Sequence, residues 1–327
     1  MNRSSPSALI AAAALLASAR ADVTFVEKPD RVVVNINGAL FTEYRHGDAP
    51  HVYYWPLIGP GGAKMTRAFP MEKVEGESND HYHHRSFWFS HGALDGTDFW
   101  GETPPTGGKP PKLPYGAIEH VKVLAMEPGK ESGLLKTEQK WVTADGALHL
   151  RSVQALRVFA GSESERMFDL DVTLIAGEKD AVFGDTKEGS VALRIADSMR
   201  LKQGKAPGKG RIVSSEGIKD DKVWGQHAKW VTMSGPIGEK TYSITLMDHP
   251  SNLRHPTRWH ARDYGLFAAN PFCEAQMDKA QPAGAGDYTL KAGQSLTFKY
   301  RIVITEGDEA AARQAERFEQ FAKGAAK

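Results

Sequence analysis

The sequence predicts an all-β fold, a large antiparallel sandwich or barrel closed by one C-terminal helix. Three observations carry this: period-two alternation of apolar residues, tight-turn dipeptides between alternating runs, and one helical repeat confined to the tail. The alternation is plainest from Met167 to Ile175, where Phe168, Leu170, Val172 and Leu174 interleave with Asp169, Asp171 and Thr173. Asn37-Gly38 separates Val32 to Ile36 from Leu40 to Tyr44, and Asp145-Gly146 separates Leu134 to Val142 from Leu148 to Val158. Both dipeptides suit hairpin turns because their residues tolerate positive φ. Further strands are expected over Ile118 to Met126, Val191 to Ala196, Tyr242 to Met247, Tyr264 to Ala268, Asp287 to Leu290 and Leu296 to Thr305. The Pro and Gly cluster from Thr103 to Pro114 reads as an ordered surface loop, and Gln203 to Gly210 as a mobile one. In the tail, Asp308 is placed to cap a helix in which Ala311, Ala315, Phe318 and Phe321 or Ala322 recur at helical spacing. Many-stranded β folds often form one large domain, so residues 22–327 read as a single unit.

The chain has 327 residues, 41% of them hydrophobic and 25% charged, which is ordinary globular material. Residues 1–21 read as a leader: Arg3, an apolar run from Ala8 to Ala17, then Ala19-Arg20-Ala21 as a small-x-small cleavage site. No cysteine stands at that site to carry a lipid, so the expectation is a periplasmic or secreted protein. The apolar run is about half the length of a membrane span, and no later segment approaches one. Loss of Arg3 and Arg20 takes the formal charge from +1 to −1. The one basic patch, Arg200 to Arg211, lacks interleaved aromatics, which argues against nucleic acid. Cys273 is the sole cysteine, so no intramolecular disulfide forms. A Gly-x-Ser-x-Gly elbow, a phosphate loop and a dinucleotide fingerprint are all missing, and no cofactor is implied.

Three constellations carry chemistry. From Asn79 to Gly92 four of the twelve histidines, His81, His83, His84 and His91, fall within eleven residues beside Arg85 and Trp88. A regular strand would send His83 and His84 to opposite faces, so a loop or bulge near Tyr82 is required to gather them. Phe87 to Phe89 can then enter a strand and bury two rings. His81-x-His83 is similar to the first two ligands of a cupin, but no acid follows before Asp95, so the site is read without a metal. The second constellation, Gly184 to Gly189, holds Asp185, Lys187 and Glu188 between glycines, and a neighbouring cation could keep Glu188 ionised as a base. A solvated charged turn is the plain alternative. The third, Asp248 to Pro271, carries His249, Asn252, His255, Arg258, Trp259 and His260 with prolines after two of its histidines. It reads as a ligand wall or as a turn-rich loop with surface arginines.

The order Asp-His-x-His-His-Arg-Ser-Phe-Trp-Phe-Ser-His-Gly, Gly-Asp-Thr-Lys-Glu-Gly, Asp-His-Pro-Ser-Asn-x-Arg-His-Pro-Thr-x-Trp-His and Tyr-Gly-Leu-Phe-Ala-Ala-Asn-Pro-Phe resembles the DUF6807 family, often labelled PmoA-like. The resemblance spans nearly the whole chain after the leader, with Tyr82, Ser86 and Cys273 departing from the usual pattern. The methane oxidation in that label would need several spanning helices, which this sequence lacks. What the resemblance implies is a protein of polysaccharide breakdown with a galactose mutarotase-like supersandwich. On that expectation the partner is a sugar or oligosaccharide, His83, His84 and His249 serve as acids, and Glu188 is the base. His81, Arg85, Trp88, His91, Asp185, Lys187, Asn252, His255, Arg258, Trp259 and His260 would bind it. A non-catalytic carbohydrate-binding protein and a metal-dependent enzyme using the histidines are the alternatives.

Overall fold

A computed structural model describes residues 22–108 and 110–324, and the expected leader lies outside the described residues. Two eight-stranded sheets dominate. The first runs, in spatial order, Val23–Lys28, Arg31–Ile36, Ala39–Arg45, Tyr53–Tyr54, Phe87–His91, Gly189–Arg194, Leu266–Asn270 and Arg258–Trp259. The second runs Arg211–Ser214, Trp230–Ile237, Lys240–Asp248, Ser295–Glu306, Glu165–Ala176, Leu148–Phe159, Ser132–Thr143 and Gly116–Glu127. Neighbouring strands in both pair antiparallel, giving a two-sheet β-sandwich.

Alternation decides what each strand buries. Phe168, Leu170, Val172 and Leu174 of the second sheet meet Val34, Phe87, Phe89, Val191 and Leu193 of the first in one continuous core. Both hairpins form as expected, with Asn37 and Gly38 at φ 55° and 76° and Gly146 at 86°. The Gln203 to Gly210 segment is not a plain loop: Lys202–Gln203 pairs with Ala206–Pro207. At the C-terminus Asp308 accepts the backbone N–H groups of Ala310 and Ala311, which caps the turn before the helix rather than the helix itself. The helix, Gln314–Ala322, lays Phe318 and Phe321 on Met247 and Val303 of the second sheet.

Candidate active site

The outer face of the first sheet forms the floor of the site. Period two sends Phe87 and Phe89 into the core, so Trp88 and Ser90 face outward, and likewise Ser190, Ala192 and Arg194. Register sets Trp88 opposite Tyr53 and Ala192, and Ser90 opposite Ser190. Tyr53, Trp88, Trp100, Ala192, Leu266 and Ala268 pack there as a cluster separate from the main core.

Over this floor lies the histidine turn. His81 and Ser86 take φ of 44° and 60°, and the N–H of His84 donates to the carbonyl of His81 at 2.9 Å. The chain therefore leaves strand geometry where the alternation argument required, and His81, His83 and His84 come within 4.5–5.9 Å of one another, centroid to centroid. Tyr264 stacks on His81 at 4.7 Å, His81 on His84 at 4.7 Å, and His84 on Trp88 at 5.5 Å. The turn is fastened from below by Arg67 and Arg194, whose side chains are both fully buried. Their guanidinium groups share Asp80 Oδ1 at 2.7 and 2.6 Å. Burial opposes ionisation of Asp80, but His81, Arg194 and Arg67 outweigh it and hold the carboxyl well below its usual range. Arg194 Nη1 also lies 3.3 Å from His84 Nδ1. A guanidinium only donates, so that nitrogen accepts and the neutral ring carries its proton on Nε2. Burial, with His83 and Arg194 adding repulsion, keeps His84 uncharged far below pH 6.5.

Glu188 stands at the edge of this floor. Its Oε1 pairs with Lys187 Nζ at 2.7 Å. Burial would raise its carboxyl, but His260, Lys187 and His83 together hold it below the usual carboxylate range. The histidines answer in the opposite sense: burial takes both His83 and His260 down to about 4, with Glu188 partly offsetting it. His260 Nδ1 donates to the carbonyl of Lys187 at 2.9 Å, so its Nε2 is the lone-pair nitrogen, buried and without a partner among the described residues. Gly92 leaves room beside its backbone for the stem of Glu188 and for Asp98. A Cβ there would stand 2.8 Å from Glu188 Cβ and 3.6 Å from Asp98 Oδ1. Burial raises the Asp98 carboxyl, the N–H groups of Gly101 and Trp100 only partly oppose this, and the charge of Glu188 adds to it.

Several expected binding residues are elsewhere. His249, Asn252 and His255 lie beside the second sheet and C-terminal helix, because the loop that bears them crosses from one sheet to the other. There His255 Nδ1 and Asn252 Nδ2 bond the two oxygens of Asp248, each at 2.7 Å, while His249 abuts Phe321 and His255 stacks on Phe318. His91 points inward, between Phe183 and Phe272, and bonds the carbonyl of Gly184. Trp259 is fully buried in the main core, its indole N–H donating to Ala228, so it offers no stacking face. Trp88 is also fully buried, beneath His84, and serves as floor rather than platform. Asp185 uses its carboxylate on the backbone N–H groups of Glu274, Ala275 and Gly286. Arg258 is held by Glu274 and Asp278, and Arg85 bidentately by Glu102 at 2.8 and 3.0 Å. His81, His83, His84, Lys187, Glu188 and His260 remain together, with Arg85 and Trp88 in the wall and floor.

Sequence reasoning missed His51, Asp98, Trp100, Arg194 and Tyr264. His51 sits 6.4 Å from the Trp88 ring on the outer face, and its alternation with Tyr53 was a readable signal. Burial, with Arg85 and His83 adding repulsion, takes His51 to about 3. No three His, Cys, Asp or Glu side chains among the described residues are grouped to hold a metal ion.

Residues 31–319 match a family of unknown function, DUF6807. No curated protein matches the chain. Among solved structures it is similar to a galactose mutarotase related enzyme from Lactobacillus acidophilus, at TM-score 0.33 and 9% identity over 88% of this chain and 97% of that one. A protein of Synechocystis sp. PCC 6803 is similar at TM-score 0.35 and 8% identity, over 88% of this chain and 96% of that one. A polysaccharide lyase gives TM-score 0.32 and 13% identity, over 92% of this chain and 34% of that one. Likenesses this distant assign no activity. The PmoA-like label is corrected: no helix among the described residues is long and apolar enough to cross a membrane, and the chain folds as two antiparallel sheets.

Proposed function

We propose, from the premise that this chain belongs to the DUF6807 family, that it is an enzyme of proton transfer at sugar oxygens, working on the outer face of the first sheet. The observation that carries this is the gathering of Glu188, its partner Lys187 and the histidines His81, His83, His84 and His260 at one face. Glu188 stands ionised beside the Lys187 ammonium, 2.7 Å from its Oε1, with the neutral rings of His83 and His260 near it. Glu188 takes the proton and, once protonated, returns it. His83 and His260 are uncharged near neutrality and act as hydrogen-bonding groups that orient hydroxyls, in place of the acid role expected for His83. Aromatic rings beside neutral donors and acceptors suit the mixed apolar and hydroxyl faces of a sugar.

A screen of neutral sugars, oligosaccharides and uronates, following binding and product together, tests the reading. Turnover that falls at least about a hundredfold in Glu188→Gln, with binding retained, is the expected result. Full turnover in Glu188→Gln, or binding with no product from any sugar, would sink it in favour of a carbohydrate-binding protein.

A further inference from the structure

Beyond Arg258–Trp259 the chain stays paired with Leu266–Asn270. The N–H of His260 bonds the carbonyl of Ala268 at 2.9 Å, and that of Arg262 bonds the carbonyl of Leu266 at 2.7 Å. Ala268 and Leu266 belong to the outer-face cluster, so residues opposite them, His260 and Arg262, share that face. The pairing ends in a turn at Gly265, with φ 92°, whose N–H bonds the carbonyl of Arg262. Within that turn the Tyr264 ring stacks 4.7 Å from His81 and lies 5.3 Å from the Arg262 guanidinium. Arg262 therefore stands next to the candidate active site.

A second segment runs alongside. The short helical turn Asp220–Val223 buries Val223 in the main core, and two hydrogen bonds join Gly225 and Gln226 to the backbone of Trp259, at 2.8 and 3.1 Å. Trp224, held between these anchors, is left half-buried at the sheet edge. A cleft of about 320 Å³ opens between the two segments, lined by Asp221, Trp224, Ala261, Arg262 and Asp263. That is room for one sugar ring, at the small end of ligand clefts, which run about 300–1,000 Å³.

The lining suits hydroxyls. The Arg262 guanidinium stacks on Tyr264 and has no acid or other acceptor among the described residues, so its N–H donors are free. Asp263 and Asp221 share Lys202 Nζ at 2.9 and 3.1 Å, which leaves further lone pairs on both carboxylates. Free donors, free acceptors and an indole face thus meet in one cleft. A sugar hydroxyl both donates and accepts, and the C–H face of a sugar ring packs on an aromatic one. A carboxylate entering there would face two acids for one free guanidinium, so the charge balance selects an uncharged unit.

We propose that Trp224, Arg262 and Asp263 form a subsite for a second, uncharged sugar unit, next to the unit held at Glu188. The substrate is thus an oligosaccharide of at least two units, and not a free monosaccharide. This rests on the sugar reading of the Glu188 site but not on its being catalytic.

Calorimetric titration of the intact chain with neutral monosaccharides, with di- and trisaccharides built from them, and with the matching uronate-bearing disaccharides tests it. A neutral di- or trisaccharide binds at least about tenfold more tightly than its own monosaccharide, and Trp224→Ala and Arg262→Gln each remove that advantage. Arg262→Gln changes a side chain outside the core, so it decides the matter even where Trp224→Ala fails to fold. Equal affinity for monosaccharide and oligosaccharide, an advantage that survives in Arg262→Gln, tighter binding of the uronate-bearing disaccharide, or no binding of any sugar overturns the proposal. The two readings fail separately. Oligosaccharide binding that depends on Arg262, with no turnover in the parent protein, refutes the acid–base reading alone. Turnover lost in Glu188→Gln, with monosaccharide and oligosaccharide bound alike, refutes the subsite alone.

Discussion

Asp80→Asn offers a demanding test of how the histidine turn is held. In the folded protein Arg67 and Arg194, both fully buried, reach one oxygen of Asp80 at 2.7 and 2.6 Å, and His81 Nδ1 reaches the same oxygen at 3.2 Å. Asparagine keeps the shape and one acceptor but removes the charge, so two guanidinium groups stay buried, with Asp197 acting on both and Glu77 on Arg67. Breaking a buried pair by removing one partner costs about 3–5 kcal/mol. Asp80 is itself partly exposed, at 39% of its side chain, and screening there places the expected loss at the low end, about 3 kcal/mol. Urea denaturation followed by tryptophan fluorescence reads this as a lowered midpoint with unchanged slope. The control is Asp180→Asn, whose partner Lys291 is 63% exposed, so that the pair is screened by solvent and its loss should leave the midpoint close to that of the parent protein. If Asp80→Asn costs no more than the control, the turn is not anchored electrostatically and the reasoning fails.

Other outcomes follow from the same contacts. His91 and His260 are buried uncharged, at about 4 against an ordinary 6.5. The unfolded chain binds their protons first, so stability is complete above about pH 6.5 and falls as pH drops toward 4, by up to about 3 kcal/mol for each; a flat urea midpoint over that window contradicts this. Trp259→Ala should cost about 3–5 kcal/mol through a core cavity, measured by denaturation, while any sugar affinity per folded molecule is kept. His255→Ala should loosen the C-terminal helix, raising hydrogen exchange over 314–322 with exchange around Glu188 unchanged; equal effects at both places would refute the separation of the two clusters.

The sheets were legible because their core strands bury one face, and period two records that directly. Trp230–Ile237 escaped notice for the reverse reason: five consecutive residues from Val231 to Gly235 are buried, and Gly235-Pro236 reads as a turn. The need for a turn near Tyr82 was legible from parity alone, since no strand gathers His81, His83 and His84. What sequence proximity could not reveal was the split of the Asp248 to His260 loop. Its first strand, Lys240–Asp248, belongs to the second sheet, and Arg258–Trp259 to the first. His249 and His260 thus end on opposite sides of the sandwich although only eleven positions apart. The role of Asp185 was hidden too, because a carboxylate that caps backbone N–H groups looks, in sequence, like one waiting for a ligand.

The central claim is that the chemistry belongs to Glu188 on the first sheet and not to the histidines of the Asp248 loop near the helix. Turnover of the sugar found by the screen, compared side by side in Glu188→Gln and His249→Ala, tests it most directly. The account predicts loss of at least about a hundredfold in the first and less than about twofold in the second. Retained turnover in Glu188→Gln together with its loss in a folded His249→Ala would contradict it.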